Sequence, residues 1–328
     1  MRGQGHRIFA GALAQCAADA DLPEVARLAR RITAPLRVKV AGRRGVGAPT
    51  VGAALARAGL AVVDAGADLD IRVIAEVAKP EDLREKPTLV VLNKADLSGF
   101  GPGGPMAAAQ RRCTAVAALA DAPAEPMVAL LALDHSGLAG ELLDALRVLV
   151  DEPADLRCPD AFLACEHSLS HAVRTQLLDR LDLFGIAHAV ITLRGDGAAG
   201  ASDVGAALRA VSRIDDVVAR IDGLGAAARY RRVAGAVDQL QTLAVTDVAV
   251  ATFLAADQTV LARMTAAVEV VEEMGIPVDP SDQPTAHLHR AVHWRRYGAA
   301  PLAALHRACA ADIARGSLRL LAAAGGTP

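Results

Sequence analysis

The sequence predicts an α/β protein with a doubly wound, mostly parallel sheet, followed by an α-helical domain. Three observations carry this. The first part of the chain alternates short apolar runs with helical patterns. Those runs are continuous in Val, Ile and Leu rather than alternating with polar residues, so they fit strands buried on both faces, as parallel strands are. From residue 203 onward every segment reads as helix. The chain has 328 residues, 53% hydrophobic and 2% aromatic, with the apolar share mostly Ala, Val and Leu. That is enough for a sizeable core and unlike a disordered chain.

The elements follow in order. Asp21-Leu22-Pro23-Glu24 has the form of a capping box with proline in the first turn, opening a helix to about Arg31. LRVKVA (36–41) reads as a buried strand, and VGAALARAG (51–59) as a short helix stopped by Gly59. LAVVDA (60–65), IRVIAEV (71–77) and TLVVLN (88–93) read as the next three strands. A helix is expected over 105–120, a fifth strand over 127–134 and a helix over 137–150. A helix over 168–184 ends at Gly185, and AHAVITLR (187–194) reads as one more, outlying strand. Helices follow at 203–221, 226–243, 247–274, 284–298 and 301–323, with PVDPSDQP (277–284) as a hinge or exposed loop. The expected division is 1–200 as the α/β domain and 201–328 as a helical bundle.

Composition excludes several classes. A net charge of −2 offers no global field for nucleic acid or acidic membranes. Lysine occurs only at 39, 79, 86 and 94; the remaining basic residues are arginine, a bias expected of a GC-rich coding sequence. The arginine pairs are not interleaved with aromatics, so no nucleic-acid partner is expected. Five scattered cysteines with no C-x-x-C pair fit reduced thiols in a cytoplasmic protein. No apolar run is long enough to span a bilayer, and the N-terminal run turns acidic too soon for a signal peptide.

Two stretches carry chemistry. GRRGVGAPT (42–50) follows the first strand and opens a helix. A phosphate loop reads G-x-x-x-x-G-K-[ST]. Gly42 and Gly47 keep that spacing, but Ala48 and Pro49 stand where lysine and the hydroxyl belong. TLVVLNKADL (88–97) runs from a strand into Asn93-Lys94-Ala95-Asp96. A carboxylate there can accept from both N–H groups on the guanine edge, a donor pair adenine lacks.

In these two motifs, in this order and with strand–helix alternation between them, residues 36–150 resemble the P-loop GTPases of the translation-factor-like class, nearest the dynamin-like and Era-like GTPases of actinobacteria. The resemblance implies a truncated P-loop GTPase-like sheet. It assigns nucleotide binding to Gly42, Arg43, Arg44, Gly45, Val46, Gly47, Ala48, Pro49 and Thr50, and to Asn93, Lys94 and Asp96. It implies that Lys94 lies over the base and that Asn93 ties its loop to the phosphate loop.

The departures from the family are as informative. Ala48 and Pro49 remove a cation, a Mg²⁺-binding hydroxyl and one amide donor. Pro49 still suits the first turn of a helix. Arg43 and Arg44 could replace part of the lost charge, though from the wrong side of the glycine turn. Thr50 carries a hydroxyl one residue late. Only 13 residues separate Thr50 from Asp64, which leaves no room for switch I. Asp64-Ala65-Gly66 is one residue short of the D-x-x-G metal motif. Phosphoryl transfer depends on those cations. The expectation is therefore a pseudo-GTPase: GDP or GTP bound weakly or not at all, Mg²⁺ not bound, hydrolysis weak or lost. Its partner would be a competent GTPase of the same family, or a second copy. The alternatives are an active GTP hydrolase completed by a partner's residues, and a nucleotide-free scaffold.

The remaining clusters have plainer readings. His289 and His293 share a helix face, but no carboxylate joins them, so a helix packing Trp294 inward is favoured over a metal site. In CEHSLSH (165–171), Ser168 or Ser170 is expected to cap a helix, in preference to Cys–His catalysis. Lys79, Glu81 and Asp82 are expected to cap a turn opened by Pro80.

Overall fold

The computed structural model describes residues 4–99, 101–133 and 138–325. In chain order the elements are α1 (Gln4–Asp19), α2 (Pro23–Thr33), β1 (Arg37–Gly42), α3 (Ala48–Arg57), β2 (Ala61–Val62), β3 (Leu69–Ala75), β4 (Leu89–Asn93), α4 (Gly104–Ala120), β5 (Ala124–Pro126), α5 (Glu141–Asp151), α6 (Pro159–Ala164), α7 (His171–Gly195), α8 (Ala201–Ser212), α9 (Ile214–Leu224), α10 (Ala226–Leu243), α11 (Val248–Ala255), α12 (Asp257–Glu273), α13 (Pro284–Gly298) and α14 (Ala304–Ala323). Residue contacts divide the chain into two compact units, one of Arg37–Arg220, the other of Met1–Leu36 with Ile221–Pro328. The sequence had suggested a division after residue 200. Residues 1–36 instead group with the C-terminal helices, and the second boundary falls inside α9.

The α/β unit contains a five-stranded sheet in the order β2-β1-β3-β4-β5, every neighbouring pair parallel. β4 is buried along its whole length, as its unbroken LVVLN run required. From β1 the chain steps to β2 on one side, then returns past β1 to β3 and continues the other way. The carboxyl ends of β1 and β3 therefore flank the switch point of the topology, where open α/β sheets place ligands. The crossover from β2 to β3 is very short. Parallel strands ordinarily need a dozen residues or more. Six suffice here because β2 ends level with Val38 and β3 begins level with Val38.

Several elements differ from expectation. The fifth strand is Ala124–Pro126, paired with Val90–Leu92. MVALLALD forms no strand: Ala129–Ala132 make a 3-10 turn, with Met127, Ala129 and Leu131 buried. Asp134 at its end and Gly137, the expected start of the next helix, lie outside the described residues. AHAVITLR lies within α7, so the outlying strand does not exist. Ile186, Ala189 and Leu193 are buried while Ile191 is 63% exposed, a helical spacing. The expected stop at Gly185 is not one. Gly185 packs against Leu131 and Leu181, where a Cβ would come within 2.6 Å of Leu131. The helix breaks at Asp182 instead (φ 53°, ψ 175°). Ser170 caps α7 by accepting the amide of Val173. The turn at Pro80 forms with Asp82 accepting the amide of Lys79.

Among the described residues the helical unit holds two apolar clusters. Phe9, Leu13, Val25, Ile32, Val237 and Leu240 belong to one, Tyr230, Val270, Trp294 and Ile313 to the other. α2 opens at Pro23, but its N-cap is Leu22 with no side-chain bond, so the capping box does not form. Two buried polar groups are matched in full. Asp312 accepts from Tyr230 Oη (2.8 Å), Arg263 Nη2 (2.6 Å) and Arg315 Nη1 (3.1 Å). Arg290 donates to the carbonyls of Asp279 and Ser281, to Ser317 and to His287 Nδ1. A guanidinium only donates, so His287 carries its proton on Nε2, 3.2 Å from Asp282. These bonds hold PVDPSDQP at Asp279, Ser281 and Asp282 against α13, and most of the stretch is exposed, as the loop reading expected. His287 is thus a core residue, and His293 lies edge-on to Trp294. Among the described residues no three His, Cys, Asp or Glu cluster to hold a metal ion, and no helix is long and apolar enough to cross a membrane.

Candidate functional site

The glycine-rich stretch is the loop between β1 and α3. Gly45 and Gly47 take left-handed conformations (φ 90° and 83°) that favour glycine. At Gly47 there is no space either: a Cβ would lie 2.4 Å from Asn93 Nδ2. A Cβ at Gly42 would lie 2.6 Å from the carbonyl oxygen of Val73. Val46 points into the core and anchors the loop. α3 begins at Ala48 with Pro49 in its first turn, so the helix amides of its first turn, save the one proline lacks, have no acceptor within the helix. They and the helix dipole place partial positive charge at the loop.

Asn93 ends β4 and is 4% exposed. Its Nδ2 donates to the carbonyl of Val46 (2.9 Å), and its Oδ1 accepts the amide of Ala129 (3.0 Å). Both ends of one buried amide are satisfied, one by the glycine loop and one by the loop after β5. The tie between Asn93 and the glycine loop expected from the sequence is present. The loop after β5 had been assigned to a strand, so its part at this site was missed. The amide of Ala95 also bonds there, to Met127 O (3.2 Å).

Lys94 is exposed and left-handed (φ 56°), and starts the 3-10 turn Ala95–Ser98 that carries Asp96. Asp96 is half-buried. Burial pushes its carboxyl above the usual range, and the charge of Asp182 adds to this; its own backbone amide and Lys94 pull the other way. Asp182 sits at the break in α7, with Oδ1 accepting the amide of Leu183 (2.6 Å). Nothing in the sequence marks it, since the break lies inside a run of good helix formers. Non-glycine residues pay a strain cost in such a conformation, and strain of this kind gathers at functional positions.

The two arginines differ. Arg43 is committed away from the loop: Nε is 2.9 and 3.0 Å from the oxygens of Asp82, which is 1% exposed, and Nη2 donates to Val77 O (3.3 Å). It cannot stand in for the missing lysine. Arg44 is exposed and makes no ion pair among the described residues. β2 ends at Val62, level with Val38 and four residues short of Gly42, and Asp64 follows two residues beyond that end. Beside the loop lies an open concavity of about 810 Å³, lined by the loop, the end of β1, the exposed face of α3 and Val62.

The structure thus brings together Gly42–Thr50 with Asn93, and sets Asp96 on the turn that Asn93 begins. It offers backbone amides, one exposed guanidinium and one carboxylate, with no lysine at the loop. In comparisons with models of known families, with curated proteins and with solved structures, the chain matches none.

Proposed function

We propose that Arg37–Arg220 binds a guanine nucleotide at the carboxyl ends of β1 and β4, with hydrolysis weak or lost, and that the protein acts through a protein partner, a competent GTPase of related fold or a second copy. One observation carries this reading. The buried amide of Asn93 couples the glycine loop to the turn bearing Lys94 and Asp96, so a base-binding element and a phosphate-binding element share one rigid joint. A parallel sheet with its switch point at the same loop supports the location. The chemistry follows from what the loop holds. Backbone amides and a helix dipole can hold a diphosphate, whereas the transition state of phosphoryl transfer needs cations that Ala48, Pro49 and the Asp82-bound Arg43 do not supply. The engagement of Arg43 by Asp82 also favours a second reading, a nucleotide-free scaffold.

Calorimetric titration with GDP and GTP, with and without Mg²⁺, separates the two. Mg²⁺-independent binding that Asp96→Ala removes supports the pseudo-GTPase. Absence of binding at millimolar nucleotide supports the scaffold. Turnover at ordinary GTPase rates overturns both.

A further inference from the structure

β1 is six residues long, but only its first two are paired on the outer side, Arg37 with Ala61 and Val38 with Val62. Two bonds fix the direction of the backbone groups. Val63 N–H donates to Val38 O on the β2 side (2.9 Å), and Asp68 N–H donates to Arg37 O on the β3 side (2.7 Å). These groups alternate along a strand. Val40 and Gly42 therefore aim N–H and C=O outward, the way Val38 does, and among the described residues the sheet has no strand there, since β2 is its edge and has ended. The 810 Å³ concavity occupies that place. Its floor includes Val40 and Gly42, and its wall on α3 is made of Gly52, Ala53 and Ala56, small enough to admit a backbone. Among the described residues its lining holds Arg43 and Arg44 and no carboxylate. Arg43 is neutralised by Asp82, so the rim charge is that of Arg44.

We propose that this notch is a docking site for an extended segment of a protein partner. The segment enters as an additional strand beside Val40 and Gly42 and sets a carboxylate side chain against Arg44. An unpaired strand edge is a template for such addition: main-chain bonds give affinity, and side-chain contacts give selectivity. The volume lies within the range of roughly 300–1,000 Å³ typical of binding pockets. The notch shares part of its lining with the loop that would hold a nucleotide, but the edge of Val40 and the α3 wall of Gly52, Ala53 and Ala56 lie outside the residues assigned to a nucleotide, so the inference goes beyond the nucleotide reading and does not depend on it.

The test uses the full chain, labelled with ¹⁵N, and amide hydrogen exchange. In the free protein the amide of Val40 should exchange at least about tenfold faster than those of Lys39 and Ala41, which face β3. The probe is the capped peptide Val-Glu-Val-Glu-Val-Glu. It should slow exchange at Val40 saturably, and its analogue with Lys for Glu should bind at least about tenfold more weakly. Arg44→Glu should reverse that preference. Ala56→Trp, at an exposed α3 position, should abolish binding without moving the unfolding midpoint. Peptide binding in a protein that ignores GDP would leave this inference standing while the nucleotide reading fails. Slow exchange at Val40 in the free protein overturns it. So does a probe that leaves exchange unchanged, equal binding of the Lys analogue, or GDP protecting Val40 and displacing the peptide.

Discussion

Asn93 Nδ2 donates to the carbonyl of Val46 across 2.9 Å, joining residues 47 positions apart, one at the end of β4 and one in the loop after β1, strands that are not neighbours in the sheet. The other end of the same amide holds Ala129. Asn93→Ala leaves a buried carbonyl and a buried N–H without partners, at about 1–3 kcal/mol each when water cannot reach them. We expect a loss of roughly 2–4 kcal/mol in urea unfolding of the α/β unit. Loss below about 0.5 kcal/mol would show that water replaces the amide.

Gly45 and Gly47 separate backbone strain from crowding. Both have left-handed φ, but the space beside Gly45 is open, while a Cβ at Gly47 would strike Asn93. Gly45→Ala should cost about 1 kcal/mol, as left-handed alanine does. Gly47→Ala should cost distinctly more, because Asn93 must also give up its bond to Val46. Equal costs by denaturant unfolding would mean that the side chain of Asn93 moves aside freely.

Nucleotide affinity should fall on acidification sooner than an exposed aspartate would dictate. Asp96 must be ionised to accept from guanine, and burial together with Asp182 raises its pKa. The sign follows: affinity is full above the raised pKa and is lost as pH drops through it. Asp182→Asn removes the repulsion and should move the falling limb to lower pH. Lys94→Ala removes a stabilising charge and should move it to higher pH. Titrations with a fluorescent GDP from about pH 8 to about pH 5 read both shifts. A limb that neither variant moves would separate Asp96 from binding.

In the helical unit, His6 is 6% exposed and its Nδ1 has no partner among the described residues. Burial, then the charge of Arg229, lowers its pKa to about 4 from the ordinary 6.5. The unfolded chain therefore takes up a proton below about pH 6.5 that the folded chain refuses. Stability of this unit should be full above that pH and fall by on the order of 3 kcal/mol as pH approaches 4. His6→Gln should flatten that part of the profile. Thermal unfolding across this range checks both.

Much of the sheet was legible because its strands are buried on both faces and read as unbroken apolar runs. β1, β3 and β4 lie within a few residues of their expected places. Where apolar runs misled, burial had another cause. Met127 to Leu131 are apolar because they fill the layer beneath the Asn93 joint, and their backbone is needed to bond Asn93 and Ala95 rather than a strand. In AHAVITLR the β-branched Val190, Ile191 and Thr192 suggested a strand, but the buried positions fall three and four residues apart. The joint between Asn93 and the glycine loop followed from motif order. Asp182 and the pairing of Arg43 with Asp82 did not, since both depend on residues brought together only by the fold.

The two compact units differ in how their residues are strung along the chain. Arg37–Arg220 is one uninterrupted stretch, while the helical unit takes its first two helices from one end of the chain and the rest from the other. During synthesis the α/β unit can close as soon as it has emerged. Phe9, Leu13, Val25 and Ile32 share a core with Val237 and Leu240, which are made only after that entire unit. At about 5–20 residues per second, α1 and α2 wait for on the order of ten to forty seconds with apolar faces exposed. The ribosome thus imposes an order in which Arg37–Arg220 can mature before α1 and α2 meet the rest of their core.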